Sequence, residues 1–242
     1  MSNSEVIVQP AATVMLLRDT DHGLEVFMLR RVANAAFAAG MYVFPGGRLD
    51  GTDGEGHDAY LVAAVRECFE ECGVLLAVDA EGCMVADGHP ALQHREGVHA
   101  GTVDIRALAA DHGLLLALDQ LPWVAHWVTP KGEAARRFDT RFFMIASPTG
   151  QSSHHDDTET VASMWVRPEE GLRQWAAGEI GLMPPTLACL RELSRHTDVA
   201  AAMAWGRSVG TPPCILPKLR LSPEGKVHGL SFPGDDDYDT ID

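Results

Sequence analysis

One segment constrains this chain more than any other: Arg66-Glu67-Cys68-Phe69-Glu70-Glu71-Cys72-Gly73-Val74. It ends a helical pattern that begins near Asp58, and Gly73 is placed to stop it, because glycine tolerates the left-handed backbone at a helix C-terminus. At about 100° per residue, Glu67, Glu70 and Glu71 share roughly one third of the helix circumference. Leu61, Val65, Cys68, Phe69 and Cys72 fill the opposite side. Carboxylates packed at i, i+3 and i+4 repel by a few tenths of a kcal/mol per pair unless cations stand among them. The donors on that face are all oxygen, with no His or Cys, which suits Mg²⁺ or Mn²⁺. Arg66 is placed to reach Glu70 one turn on and orient it. The competing reading is a merely solvated acidic face.

Charge narrows the partners. The 242 residues carry 19 Lys and Arg against 34 Asp and Glu, a formal net charge of −15. That is the wrong sign for gripping a nucleic acid backbone. An acidic protein handles a small phosphate ester when divalent cations bridge the two sets of negative charge. The longest uncharged stretch, 32–47, contains Asn34, Pro45 and several glycines and is too short for a bilayer span, so no membrane partner is expected. Cys68, Cys72, Cys83, Cys189 and Cys214 include no C-x-x-C pair and read as reduced, buried thiols. The first residues lack a basic region followed by an apolar one, so the cytoplasm is the expected location.

Short apolar runs at 11–17 and 24–31 flank a turn at 19–23, predicting a β-hairpin, and 41–44 reads as a third strand cut off by Pro45-Gly46-Gly47. Strands are also expected at 123–128, 141–146 and 161–166, a helix opening at Pro168, and a further helix at 187–197. A terminal hairpin is expected over 219–232 around Pro223-Glu224-Gly225. The Ala- and Leu-rich stretch 77–122, with 105–118 read as helical, interrupts this order as a helical insertion. A single domain over 1–242 follows, with 235–242 read as an acidic mobile tail.

The carboxylate segment resembles the Nudix box, G-x5-E-x7-R-E-U-x-E-E-x-G-U, where U is apolar. Residues Arg66 to Val74 match its second half position by position, with Cys68 as the small apolar residue. The first half departs: aligning Gly47 with the opening glycine requires about five extra residues, and the upstream Glu becomes Asp58 or Asp53. Asp58 reads as an N-cap. Further likeness, in the order FMLRR, YVFPGGRLD, WVTP, RRFDTRFF and MWVRPEEGL, is to the subgroup containing coenzyme A diphosphatases, which also carries a helical insertion after the box.

The resemblance implies an α/β fold, the Nudix α/β/α sandwich on a mixed β-sheet, and metal-dependent cleavage of the pyrophosphate in a nucleoside diphosphate linked to another group. Coenzyme A or acyl-CoA is the leading substrate, with NADH or ADP-ribose, or a non-catalytic nucleotide sensor, as alternatives. It implies Glu67, Glu70, Glu71 and the Gly47 carbonyl as ligands of Mg²⁺ or Mn²⁺, with Glu70 or Glu71 catalytic and Arg66 supporting them. Glu159, just before a strand, is a further candidate metal carboxylate, its other reading being a solvated loop charge. Arg30, Arg31 and Arg48 flank the expected pocket as phosphate ligands or as surface ion-pair partners. His154 and His155, adjacent on a loop, share no defined face for a zinc site. Trp123, Trp127, Phe142 and Phe143 read as core rather than as a base-stacking platform. A homodimer is a family habit.

Overall fold

The computed structural model describes residues 6–32, 38–132, 136–153 and 160–241. Its centre is a mixed sheet. The hairpin forms as expected, with longer strands: β1 Val8–Thr20 pairs antiparallel with β2 Gly23–Arg31 at its end, from Leu17 opposite Val26 to Thr20 opposite Gly23. The first part of β1 instead pairs with β4, Gly46–Arg48, whose predecessor β3 covers Tyr42–Val43. One edge of the long strand therefore serves two partners, and the Gly-Gly loop is carried in as a short strand beside it.

After helix α1, Gly56–Cys72, comes the insertion, with β5 Ala77–Val78, α2 Arg95–His99, α3 Ile105–Asp111 and β6 Leu115–Leu116. The sheet resumes with β7 Trp123–Val128, β8 Arg137–Ala146 and β9 Thr160–Val166. Strand β8 runs parallel to β1, while β7 and β9 pair antiparallel with β8 and β2. Then follow α4 Pro168–Ala176, α5 Pro184–Leu193, α6 Val199–Val209, β10 Cys214–Ile215, β11 Lys218–Leu221 and β12 Val227–Ser231.

Side-chain alternation divides the interior into two layers. Val14, Leu16, Phe27 and Leu29 pack with α1 and the insertion, whereas Met15, Leu17, Val26 and Met28 pack with α5 and α6. Helices on both faces of a mixed sheet give the α/β/α sandwich expected from the sequence.

Three local expectations are corrected. The helix read over 105–118 stops at Asp111, because Gly113 turns the chain at φ +68° and Leu115–Leu116 pairs with Ala77–Val78 as a strand. Asp58 does not cap α1: the N-cap position is Glu55, without a side-chain cap bond, and Asp58 lies in the first turn, where its charge complements the helix dipole. Cys83 and Cys214 are exposed, and only Cys68, Cys72 and Cys189 are buried thiols. Among the described residues no helix is long and apolar enough to cross a membrane. In the acidic segment, Arg220 donates to Asp235 and Asp237, and Ser231 donates to Asp237 at 2.6 Å.

Candidate active site

Helix α1 and strand β4 meet at the carboxylates. Gly73 at φ +74° closes the helix, donating its N–H to the Phe69 carbonyl. Helix α1 lies on β1 and β4 through its apolar side, which aims the acidic side along the Gly-Gly strand. The carboxylate face is not an open surface. Glu67 and Glu70 side chains are about one-seventh exposed, and Glu71 is 4% exposed. A solvated acidic face would leave all three in water, so their recession favours a site.

Arg66 organises the cluster. Its buried guanidinium donates from Nε and Nη2 to the two oxygens of Asp53, both at 2.9 Å, and from Nη2 to the Arg48 carbonyl at 2.8 Å. Its Nη1 reaches Glu67 at 2.8 Å and Glu70 at 3.1 Å, so the contact to Glu70 expected from the spacing is present. Burial alone would lower the Arg66 pKa, but the Asp53 hydrogen bonds and the charges of Glu67, Asp53 and Glu70 hold it above its usual range. Of the two upstream acids the sequence offered, Asp53 is wholly buried and joins the site, while Asp58 stays exposed.

Glu71 accepts the Gly46 N–H at 2.8 Å and lies 4.0 Å from Arg31. Burial pushes its carboxyl well up from the ordinary range, and the neighbouring Glu67 pushes it further, against the Gly46 N–H and Arg31. Burial also raises Glu70, against the pull of Arg66. A Cβ at Gly47 would lie 2.5 Å from the Glu67 carboxyl carbon, so a larger residue there displaces that carboxylate.

A cation fits this donor set. The carboxylates of Asp53, Glu67, Glu70 and Glu71 outnumber the guanidinium groups of Arg66 and Arg31 that they meet. Among the described residues no three acidic, His or Cys side chains converge tightly enough as they stand to hold an ion. Arg66 draws Glu67 and Glu70 to itself, and the Gly46 N–H takes an oxygen of Glu71.

The carboxylates line one end of a cavity of about 470 Å³. Arg31 and Arg48 line it too, whereas Arg30 is exposed and does not. Successive strand residues face opposite ways, and β2 carries an irregularity between Arg30 and Arg31. Trp127 and Phe142 are core side chains that also wall the cavity, while Trp123 packs against Arg141, 4.5 Å from its ring centroid. Glu159, His154 and His155 lie outside the described residues.

The insertion supplies residues that no motif announces. Arg95 donates to the Glu70 carbonyl at 3.0 Å, placing a cation at the C-terminus of α1. His99 stands 3.8 Å from Glu70, and Arg106 donates to the Asp53 carbonyl at 2.9 Å. The sequence signal was weak: basic residues within an Ala- and Leu-rich stretch, with nothing to say what they reach.

Comparison with known proteins agrees with this geometry. The NUDIX domain model matches residues 8–96, and the NUDT19 Nudix domain model matches residues 55–195. The chain is 30% identical over 226 residues to nudix hydrolase 7 of Caenorhabditis elegans, covering 93% of this chain and 72% of that protein. It is 32% identical over 194 residues to the acyl-coenzyme A diphosphatase NUDT19 of Homo sapiens, covering 74% of this chain and 51% of that one. The chain thus spans about half the length of the human protein. A crystal structure of a NUDIX hydrolase from Alicyclobacillus acidocaldarius superposes with a TM-score of 0.74 at 27% identity, covering 82% of this chain and 96% of that chain. A motif, a fold and a family model that meet on the same helix carry one conclusion: the chain belongs to the Nudix hydrolases.

Proposed function

We propose that this chain hydrolyses the pyrophosphate of coenzyme A or an acyl-CoA. The observation that carries the reading is that one cavity joins the carboxylate cluster to an apolar wall formed by Trp127, Phe138, Phe142, Met183, Pro184 and Leu230. A substrate with a charged pyrophosphate and a long, less polar arm uses both ends. The printed name of the human relative, an acyl-coenzyme A diphosphatase, supports that substrate class.

Glu67, Glu70, Glu71 and the Gly47 carbonyl would hold Mg²⁺ or Mn²⁺, which supplies charge neutralisation on the pyrophosphate and acidification of water. Arg66 orients Glu67 and Glu70 while Asp53 fixes Arg66. Where Glu70 is not a ligand of the metal it would accept the proton of the attacking water, and His99 stands 3.8 Å from it. Arg31 and Arg48 meet the phosphate oxygens from the cavity wall. Water adds to one phosphorus, the bridging P–O bond breaks, and the proton leaves through the carboxylate. Products from coenzyme A are 3′,5′-ADP and 4′-phosphopantetheine.

The test is product analysis against coenzyme A, acetyl-CoA, NADH, ADP-ribose and a diadenosine polyphosphate, each with Mg²⁺, Mn²⁺ or EDTA. Release of 3′,5′-ADP from the CoA compounds, abolished by EDTA, is expected. Preference for NADH or ADP-ribose would overturn the substrate, and turnover in EDTA would overturn the metal.

A further inference from the structure

A second concavity of about 460 Å³ adjoins the first. The two share Trp127, Pro184 and Leu230 as walls. Beyond that junction the lining changes character. Leu182, Leu187, Ala188 and Phe232 are apolar, and the polar atoms of the lining side chains are the indole N–H groups of Trp127 and Trp175 and the guanidinium of Arg191. Trp175 stands 36% exposed on the rim, with Arg191 over its ring at 5.9 Å.

We infer that this groove receives the acyl chain of an acyl-CoA thioester, so that the enzyme selects substrates by acyl length. The inference rests on the acyl-CoA reading above. Four parts of such a substrate occur in a fixed covalent order: pyrophosphate, pantetheine arm, sulfur, acyl chain. The first concavity holds the carboxylates and arginines, the second is apolar, and the side chains common to both, Trp127, Pro184 and Leu230, stand between them. A nucleobase, sugar or phosphate entering the groove would lose its water hydrogen bonds and find few replacements. A polymethylene chain loses none, and each methylene withdrawn from water is worth about fourfold in affinity.

The groove also has a structural origin separate from the catalytic helix. Its walls come from α4, α5, β7 and the terminal β11–β12 hairpin, with no residue from α1 or β4. Chain-length selection is therefore separable from bond cleavage by mutation. Leu187 and Ala188 line the groove and do not line the first cavity.

The experiment measures kcat and KM for coenzyme A, acetyl-CoA, octanoyl-CoA and lauroyl-CoA with the full chain and with Ala188→Trp, which fills the groove. For the unmodified chain, kcat/KM is expected to rise at least tenfold from acetyl-CoA to octanoyl-CoA, through KM. Ala188→Trp is expected to erase the rise while free coenzyme A is cleaved within twofold of the original rate, which also reports that the variant folds. Leu187→Glu, half-buried in the same wall, provides a second variant with the same expected signature. A flat acyl series with active coenzyme A cleavage overturns the groove and leaves the proposed function standing. Equal losses on coenzyme A and octanoyl-CoA in both variants overturn it as well. Turnover of ADP-ribose or NADH with none of any CoA compound removes the substrate reading and the groove with it.

Discussion

The two ends of the cavity are built in opposite ways. The carboxylate end comes from one short stretch of chain, strand β4 with helix α1, braced by Asp53 and by Arg95, His99 and Arg106 from the insertion. The apolar end is assembled from β7, β8, the start of α5 and the last hairpin, which are far apart in sequence. At the first end, charge is held against its own repulsion, so the groups are few and the loss of any one is expected to be costly. At the other, contacts are apolar and interchangeable, so each contributes modestly. Chemistry and selectivity are expected to fail separately, and the predictions below test that division.

Glu71→Gln has the largest expected effect. It removes a charge that burial and Glu67 both disfavour, while a Gln oxygen still accepts the Gly46 N–H. Turnover should fall on the order of 10²–10³-fold, and the melting temperature measured in EDTA should equal or exceed that of the original chain. A stability loss in place of an activity loss would make Glu71 a scaffold residue and undo the contrast between the ends.

Asp53→Asn comes next. Asp53 is fully buried and gives both oxygens to Arg66, which in turn holds Glu67 and Glu70. Breaking a buried, hydrogen-bonded pair from one side costs about 3 kcal/mol, and the unmoored guanidinium should lower kcat as well. Urea unfolding together with steady-state kinetics checks both. A change in KM alone would show that Arg66 keeps its carboxylates aligned without Asp53.

At the apolar end, Leu230→Ala trims one wall shared by cavity and groove. It should raise KM for a CoA substrate by about three- to tenfold, consistent with roughly 1 kcal/mol of lost burial, and leave kcat unchanged. A fall in kcat with constant KM would show that this end also positions the reacting phosphorus.

The same contrast explains what was legible in the sequence. The carboxylate helix could be read because its periodicity is local: side chains three and four positions apart meet on a helix whatever surrounds it. The hairpins and most strands of the sheet announced themselves by alternation between turn residues. The depth of Glu71 could not be read, since periodicity fixes a direction around the helix but not what covers it. Arg31 rather than Arg30 lines the cavity because strand register sets the face, and a shift of one residue exchanges the two. Asp53 competed with Asp58 because the loop between Gly47 and α1 carries extra residues, so spacing no longer identified the partner of Arg66. The Ala- and Leu-rich insertion looked helical throughout because apolar runs of that length suit a buried helix and a short strand alike, and Gly113 decided between them. Helix α6 was missed, although its start carries a signal, Asp198 accepting the Ala201 N–H at 2.8 Å ahead of an alanine-rich run. The apolar end had no motif at all, since its residues become neighbours only once the sheet and the last hairpin are in place.

The smallest expected effect concerns what holds that last hairpin. Arg220 on β11 donates to Asp237 at 2.6 and 2.8 Å, and Ser231 on β12 donates to the same carboxylate. The Arg220 hydrogen bonds, then that of Ser231, hold the Asp237 carboxyl below its ordinary range. A carboxylate with a depressed pKa in the folded protein stabilises the fold above its unfolded pKa, near 3.8, and loses that contribution as pH falls through the folded value. Because the pair is exposed, solvent and salt screen it, and the effect on global stability should be slight. Asp237→Asn should therefore lower the melting temperature by only a degree or two at pH 6, with the difference shrinking as the pH is brought down through the acid range. The informative readout is KM. If the pair positions β12, Asp237→Asn should shift KM in the direction of Leu230→Ala, by less, and leave kcat untouched. An unchanged KM beside a measurable loss of stability would show that the hairpin keeps its place over the cavity without the Asp237 ion pair.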